Sequence, residues 1–305
     1  MKTYIIIVTY NGEKWIQKCL SSVMKSDIKH NIIVIDNASN DNTSNIIKDY
    51  FPEVELIENT ENIGFGRANN IGIKKAYDES ADFIFLLNQD AYVEKDTIRK
   101  LVNIAKSNQN FGIISPVHLN GNGDALDFNF SNYIVPRHCQ GFYSDLYLNN
   151  LSDSVYQVKF VNAAAWLISR QCIETIGGFN PIFDMYGEDD NYIHRVYYHG
   201  FMVGIYPFAR IFHDRSQMNI STYFTDKKMV LKRDFIINNC NIHNHFNTKN
   251  LCKEYLILIF KALLKFDFYS FNIHKYKLSL LISYNKEIHH TRIKSKQKGQ
   301  TFLSI

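Results

Sequence analysis

Three short apolar runs, each ending abruptly in polar residues, restrict this chain to an open α/β sheet. They are Tyr4-Ile-Ile-Ile-Val8, ending in Thr9-Tyr10-Asn11-Gly12; Ile32 to Ile35, ending in Asp36-Asn37-Ala38-Ser39-Asn40-Asp41; and Phe83 to Leu87, ending in Asn88-Gln89-Asp90. Continuous rather than alternating apolar runs of this length read as strands buried on both faces, the signature of parallel sheet. Between the first two, Trp15/Ile16, Cys19/Leu20 and Val23/Met24 recur at helical spacing, which makes the unit a βαβ crossover. The pattern continues with a helix over Asn42 to Tyr50, a strand over Val54 to Glu58 and a helix over Arg67 to Tyr77. Successive strands of such a sheet deliver their polar ends to one edge, where open α/β sheets bind ligands.

Taken singly, these ends say little, because Asn and Asp also close strands by favouring turns. Together they resemble a known pattern. Val8-Thr9-Tyr10-Asn11 resembles the opening signature of family 2 glycosyltransferases of the GT-A fold, and Val34 to Asp41 their nucleotide-binding second strand. Asn62-Ile-Gly-Phe-Gly-Arg67-Ala-Asn69-Asn70 resembles the stretch before the metal motif, and Leu87-Asn88-Gln89-Asp90 stands where the family carries Asp-x-Asp. Gly177-Gly178-Phe179-Asn180, followed by Met185-Tyr-Gly-Glu188-Asp189-Asp190, resembles the acceptor-side loop and its acidic motif. The likeness runs over residues 1 to 215 in the family's order. It implies a mixed, mostly parallel sheet flanked by helices, with a helical C-terminal extension. The expected division is a GT-A domain over 1–221 and a basic region over 222–305.

The resemblance also implies roles. A sugar-nucleotide loses its diphosphate as an anion while the anomeric carbon gains oxocarbenium character, so charge must be stabilised on one side and a hydroxyl deprotonated on the other. Asp90 is the expected ligand of Mg²⁺ or Mn²⁺, hard cations that take few protein oxygens and complete their shell with phosphate and water. His213 is a second candidate at the metal or diphosphate; a loop histidine held only by hydrogen bonds is the other reading. Asn88, neutral where the family often has Asp, is expected at ribose or a metal-bound water. Asp36 would accept the ring N–H of uracil or thymine, with the backbone of Thr9 bordering the base. Asp41 reads as a helix cap. Arg67, entering a helix from the glycine-bearing loop Gly64-Phe65-Gly66, would meet the diphosphate. Asp189 is the expected general base, with Glu188 supporting the acceptor, although acidic residues at a helix start also serve as caps. The family often continues with Asp where this chain has Asn191, then an arginine matching Arg195. Trp166 is either a wall of the acceptor site or core.

The implied reaction is inverting, metal-dependent transfer of rhamnose or a hexose from a dTDP- or UDP-sugar to a saccharide or lipid-linked acceptor, as in bacterial surface-polysaccharide assembly. A nucleotidyltransferase would need a glycine-rich first loop, and Thr9 to Lys14 has one glycine. A non-catalytic scaffold of the same fold would separate Asp90 from Asp189.

The five cysteines, at 19, 139, 172, 240 and 252, form neither a disulfide framework nor a zinc pattern, so a reducing cytoplasm is expected. A first strand beginning at residue 4 leaves no room for a signal core. Charge is uneven: residues 222–305 carry 15 Lys and Arg against 5 Asp and Glu, and residues 1–221 carry 19 against 25. The acidic front and the lack of a recognised motif argue against nucleic acid as a partner. Within Leu251 to Phe271 the longest aliphatic and phenylalanine run, Leu256 to Phe260, is far short of the roughly 20 residues that span a bilayer. Its apolar face, flanked by lysines, would pack on the catalytic domain, on a second subunit as a homodimer, or on the inner-membrane surface. The polar stretch His289 to Gln300 is expected to fray.

Overall fold

A computed structural model of the chain describes residues 1–215 and 226–303. The expected 221/222 boundary falls outside them. Strands β1 (Thr3–Thr9), β2 (Asn31–Asp36), β3 (Glu55–Glu58) and β4 (Phe83–Asn88) are parallel, β1 lying between β2 and β4. Beyond β4 the sheet turns mixed through β8 (Ala165–Ser169), antiparallel to both β4 and β6 (Phe111–Asn120). Strand β9 (Met202–His213) runs parallel to β6 and carries β5 (Ala91–Val93) and β7 (Tyr156–Gln157) antiparallel on it.

All seven residues of β1 are buried, because successive side chains feed opposite layers. Tyr4, Ile6 and Val8 join Ala68, Ile73 and Ala76 of α3 (Phe65–Asp78), while Ile5 and Ile7 join Ile16, Cys19, Leu20 and Val23 of α1 (Ile16–Met24). Helices α2 (Thr43–Tyr50) and α4 (Thr97–Ser107) complete the second layer. The first layer also receives α5 (Phe128–Tyr133), α6 (Phe142–Tyr147), α7 (Arg170–Ile176) and α8 (Glu188–Tyr198). Trp166 resolves as core: it is fully buried and stacked on Phe179, ring centroids 6.0 Å apart.

Three further helices, α9 (Lys227–Cys240), α10 (Thr248–Leu264) and α11 (Phe268–Lys296), build a third cluster in which Phe235, Ile236, Leu280, Leu281 and Ile288 enclose Ile182 and Phe183 of the acidic loop. The expectation of fraying over 289–300 is overturned. Helix α11 continues to Lys296 with Thr291 and Ser295 buried, and residues 299–303 form a strap on the Gly177-Gly178 turn. Gly178 donates to the Thr301 carbonyl at 2.9 Å, the Thr301 hydroxyl donates to the Ile176 carbonyl at 2.7 Å, and Leu303 is buried in the first core layer. Polar composition hid this, since the strap is held by its backbone, the Thr301 hydroxyl, the Phe302 ring beneath Arg195 and one buried leucine.

Candidate active site

At the carboxyl edge, the loops after β1 and β2 are laced by their own amides. The Thr9 carbonyl accepts from Asn37 N–H at 2.8 Å, and Asn11 takes the Asn40 amide on its side-chain oxygen at 2.8 Å. Buried Asp36 accepts from the Ser39 amide and hydroxyl on Oδ1 and from the Ser44 hydroxyl, at 2.7 Å, on Oδ2. Asp41, expected as the cap of α2, takes the Thr43 amide at 3.1 Å from the position before the N-cap, which is Asn42. Gln89 latches this edge to β4: its Oε1 accepts from the Thr9 hydroxyl and, at 3.0 Å, from Tyr10 N–H.

Strand pairing explains why Asp90 meets His213. The chain turns after β4 into β5, whose Ala91 lies in register with His213 at the end of β9, and Asp214 N–H donates to the Asp90 carbonyl at 2.8 Å. Asp90 Oδ1 lies 3.3 Å from His213 Nε2, both side chains being almost fully buried. Asp90 Oδ2, also buried, has no hydrogen-bond partner among the described residues. Behind the imidazole stands Asp127, a residue that no motif singles out. It caps α5 by accepting from Phe130 N–H at 2.9 Å, pairs with Arg215 Nε at 2.9 Å, and places Oδ2 3.8 Å from His213 Nδ1. The cluster Asp90, His213, Asp127 and Arg215 therefore arises from β4, β9 and the turn after β6.

Two protein donors and an unsatisfied carboxylate oxygen suit a divalent cation that draws its remaining ligands from a diphosphate. No group of three His, Cys, Asp or Glu side chains converges as a metal site among the described residues. A site of this kind would be completed by substrate.

The acidic turn reaches the same edge. Tyr186 and Gly187 both adopt left-handed backbone, φ 62° and 100°, which swings the chain so that Glu188, Asp189 and Asp190 form the first turn of α8. A Cβ at Gly187 would crowd the side chains of Ile237 and Phe183, and its φ of 100° is one that L side chains rarely adopt, so glycine fits there. The link to β4 is one dipeptide: Ala163 N–H donates to the Asp189 carboxylate, and the Ala164 carbonyl accepts from Asn88 N–H at 2.9 Å. Tyr133 spans the gap, since it feels the charges of Asp189 and Asp190 as well as those of Arg215 and Asp127. Asp189 is thus tied through Ala163 and Ala164 to the strand that carries Asn88. Asn88 Oδ1 is buried with no hydrogen-bond partner among the described residues.

Burial, reinforced by repulsion from Asp189, pushes Glu188 up to about 8 and Asp190 up to about 7. Burial raises Asp189 as well, partly offset by hydrogen bonds from the amides of Asp190 and Ala163. Glu188 and Asp190 therefore exchange protons near neutral pH, and Asp189 between them is shifted in the same direction, as suits a general base. The helix dipole favours these charges at the N-terminus but does not offset their desolvation.

Arg67 is engaged away from Asp36 and Asp90. Its guanidinium donates to the Pro181 carbonyl and lies 3.5 Å from Asp184, bracing the acidic loop. Asn70 clamps the same loop, exchanging hydrogen bonds of 2.8 and 2.7 Å with the Phe179 carbonyl and amide. Fully buried Arg195 donates to the carbonyls of Ile176 and Gly178, which fixes the glycine turn from inside.

Comparison with known proteins gives the family and the fold. The chain is 30% identical over 105 residues to the poly(ribitol-phosphate) β-N-acetylglucosaminyltransferase TarS of Staphylococcus aureus (strain Mu50), covering 32% of this chain and 18% of TarS. It therefore spans about a fifth of that relative's length. The dTDP-rhamnosyl transferase RfbF of Shigella flexneri is 24% identical over 212 residues, 69% of this chain and 68% of RfbF. Among solved structures, the mannosyltransferase of Pyrobaculum calidifontis in complex with GDP-Man and Mn²⁺ aligns with a TM-score of 0.57 at 17% identity, covering 94% of this chain and 75% of that one. The family model described as glycosyl transferase family 2 matches residues 4–175, which hold β1 to β4, Asp36, Asp90 and the Ala163-Ala164 link. The chain belongs to glycosyl transferase family 2 and has its GT-A fold.

Proposed function

We propose that this chain is an inverting, metal-dependent glycosyltransferase that moves rhamnose or a hexose from a dTDP- or UDP-sugar to a hydroxyl of a saccharide or lipid-linked acceptor, acting in bacterial surface-polysaccharide assembly at the inner face of the membrane. The observation that carries the reading is Asp90, with one buried oxygen unpartnered, beyond the strand β4 whose end the Ala163-Ala164 dipeptide ties to the raised carboxyls of α8. In this reading Asp90 and His213 would hold Mg²⁺ or Mn²⁺, which would supply positive charge opposite the departing diphosphate. Asp36 accepts the pyrimidine N–H on Oδ2, which retains a lone pair beyond the one used by Ser44, whereas Oδ1 is already taken by the amide and hydroxyl of Ser39. Asn88 faces the ribose, and Thr9 borders the base. Asp189 takes the proton from the acceptor hydroxyl as that oxygen attacks the anomeric carbon, and Glu188 supports the acceptor. No enzyme atom bonds to the sugar. RfbF, by its name a dTDP-rhamnosyl transferase, and the Mn²⁺ in the mannosyltransferase complex support the choice of donor and cation.

Calorimetric titration of UDP- and dTDP-sugars with and without Mn²⁺ tests this. The native chain should bind one class of donor only with the cation, and Asp90→Ala should abolish that dependence. Absence of binding to every nucleotide sugar would overturn the reading.

A further inference from the structure

Helix α10 is apolar on two faces and only one is packed. Its inner face, with Leu251, Cys252, Tyr255 and buried Ala262, closes the third cluster against α11. On the outer face Leu256, Ile257, Phe260 and Leu264 line an open trough of about 900 Å³, and nothing among the described residues covers it. Phe260 is 61% exposed and Leu264 65%. The elbow between α10 and α11 continues the patch outward, with Phe266 80%, Phe268 64% and Tyr269 66% exposed. A helix that is apolar all round is normally buried, and a contiguous exposed patch of this kind marks an interaction surface.

The charge around it narrows the occupant. Lys249, Lys253 and Lys261 line the same trough as the apolar residues, and Lys227 reaches over the Tyr269 ring at 5.9 Å. From Thr248 to Ser270 four lysines face two acids, and one of these, Asp267, caps α11 through the Ser270 amide. A two-fold contact with a second copy would set this basic patch against itself. A convex corner of Phe266, Phe268 and Tyr269 fits a deformable surface better than a preformed pocket. No helix among the described residues is long and apolar enough to cross a membrane.

We infer that the outer face of α10 and the α10–α11 elbow dock on an anionic lipid bilayer, with Leu256, Phe260, Leu264 and Phe266 entering the headgroup boundary and the lysines paired to lipid phosphates. This lies parallel to the surface rather than across it. The inference takes its purpose, though not its physics, from the lipid-linked acceptor proposed above: docking would hold the acidic turn near acceptors that remain in the membrane.

Cosedimentation of the full chain with vesicles tests it. The chain should partition onto phosphatidylcholine vesicles containing phosphatidylglycerol and not onto phosphatidylcholine alone, and added salt should weaken the association. Lys253→Gln and Lys261→Gln should each weaken partitioning roughly fivefold, and the double change Phe260→Ser with Leu264→Ser should abolish it. Nucleotide-sugar binding, measured on the same variants, reports their folding and should not change. No partitioning by the native chain, or equal partitioning by all variants, would overturn the inference. A dimer that Phe260→Ser dissociates, without vesicle binding, would assign the face to a second copy instead. Vesicle binding without nucleotide-sugar binding would leave the docking face standing and remove the transfer reading; the reverse result would do the opposite.

Discussion

The loop after β2 and the first turn of α8 bring carboxylates to the same sheet edge and treat them in opposite ways. Asp36 and Asp41 are met by hydroxyls and amides of their own neighbourhood, from Ser39, Ser44 and Thr43. Glu188 is buried and Asp190 half-buried beside it, Glu188 Oε2 lacks a hydrogen-bond partner among the described residues, and desolvation with the charge of Asp189 pushes both carboxyls up toward neutrality. A carboxylate whose charge is already answered gives shape and specificity. One held short of partners gives reactivity. Asp90 combines the two, with Oδ1 beside His213 and Oδ2 unanswered.

The contrast breaks most visibly at Asp189. Asp189→Asn should lower transfer by about 10²- to 10⁴-fold while leaving donor binding intact in calorimetry; equal loss of both would make the turn part of the donor site. Asp127→Ala comes next. It removes the carboxylate behind His213, so Mn²⁺ affinity should fall by about 10- to 100-fold, the range typical for groups that orient a ligand. Because Asp127 also caps α5, thermal unfolding of Asp127→Asn, which can still cap, separates stability from metal binding.

The smallest effect concerns pH. Transfer should rise with pH as the α8 carboxyls lose their protons, and Asp190→Asn, by removing one negative neighbour, should move that limb to lower pH. Stability runs the other way. The folded values of about 8 and about 7 lie above the ordinary 4.5 and 3.8 of Glu and Asp. Their stabilising protonation is complete below the ordinary values and lost as pH rises through the folded ones. Unfolding temperature measured from pH 5 to 9 should therefore decline less in Asp190→Asn than in the native chain.

How much was legible beforehand follows from the range of the contacts. Strands β1, β2 and β4 announce themselves because burial on both faces demands uninterrupted apolar runs, and their polar ends follow directly. Asp127 carries no local sign: it is one acid between Leu126 and Phe128, and it matters only because pairing of β6 with β9 brings His213 to it. Arg67 was expected at the diphosphate from its loop, but its partners Pro181 and Asp184 lie over a hundred residues away. The periodicity of α10 revealed an apolar face without revealing that the opposite one would be packed.

The strap at Thr301 and Leu303 has a consequence for the order of events on the ribosome. Strands β1, β2 and β4 can pair once residue 88 has been made, whereas the Gly177-Gly178 turn waits for partners more than 120 residues later. At about 5 to 20 residues per second, a nascent chain spends about 6 to 25 seconds between making Gly178 and making Thr301, with β1, β2 and β4 complete and the turn ahead of its acidic helix not yet latched.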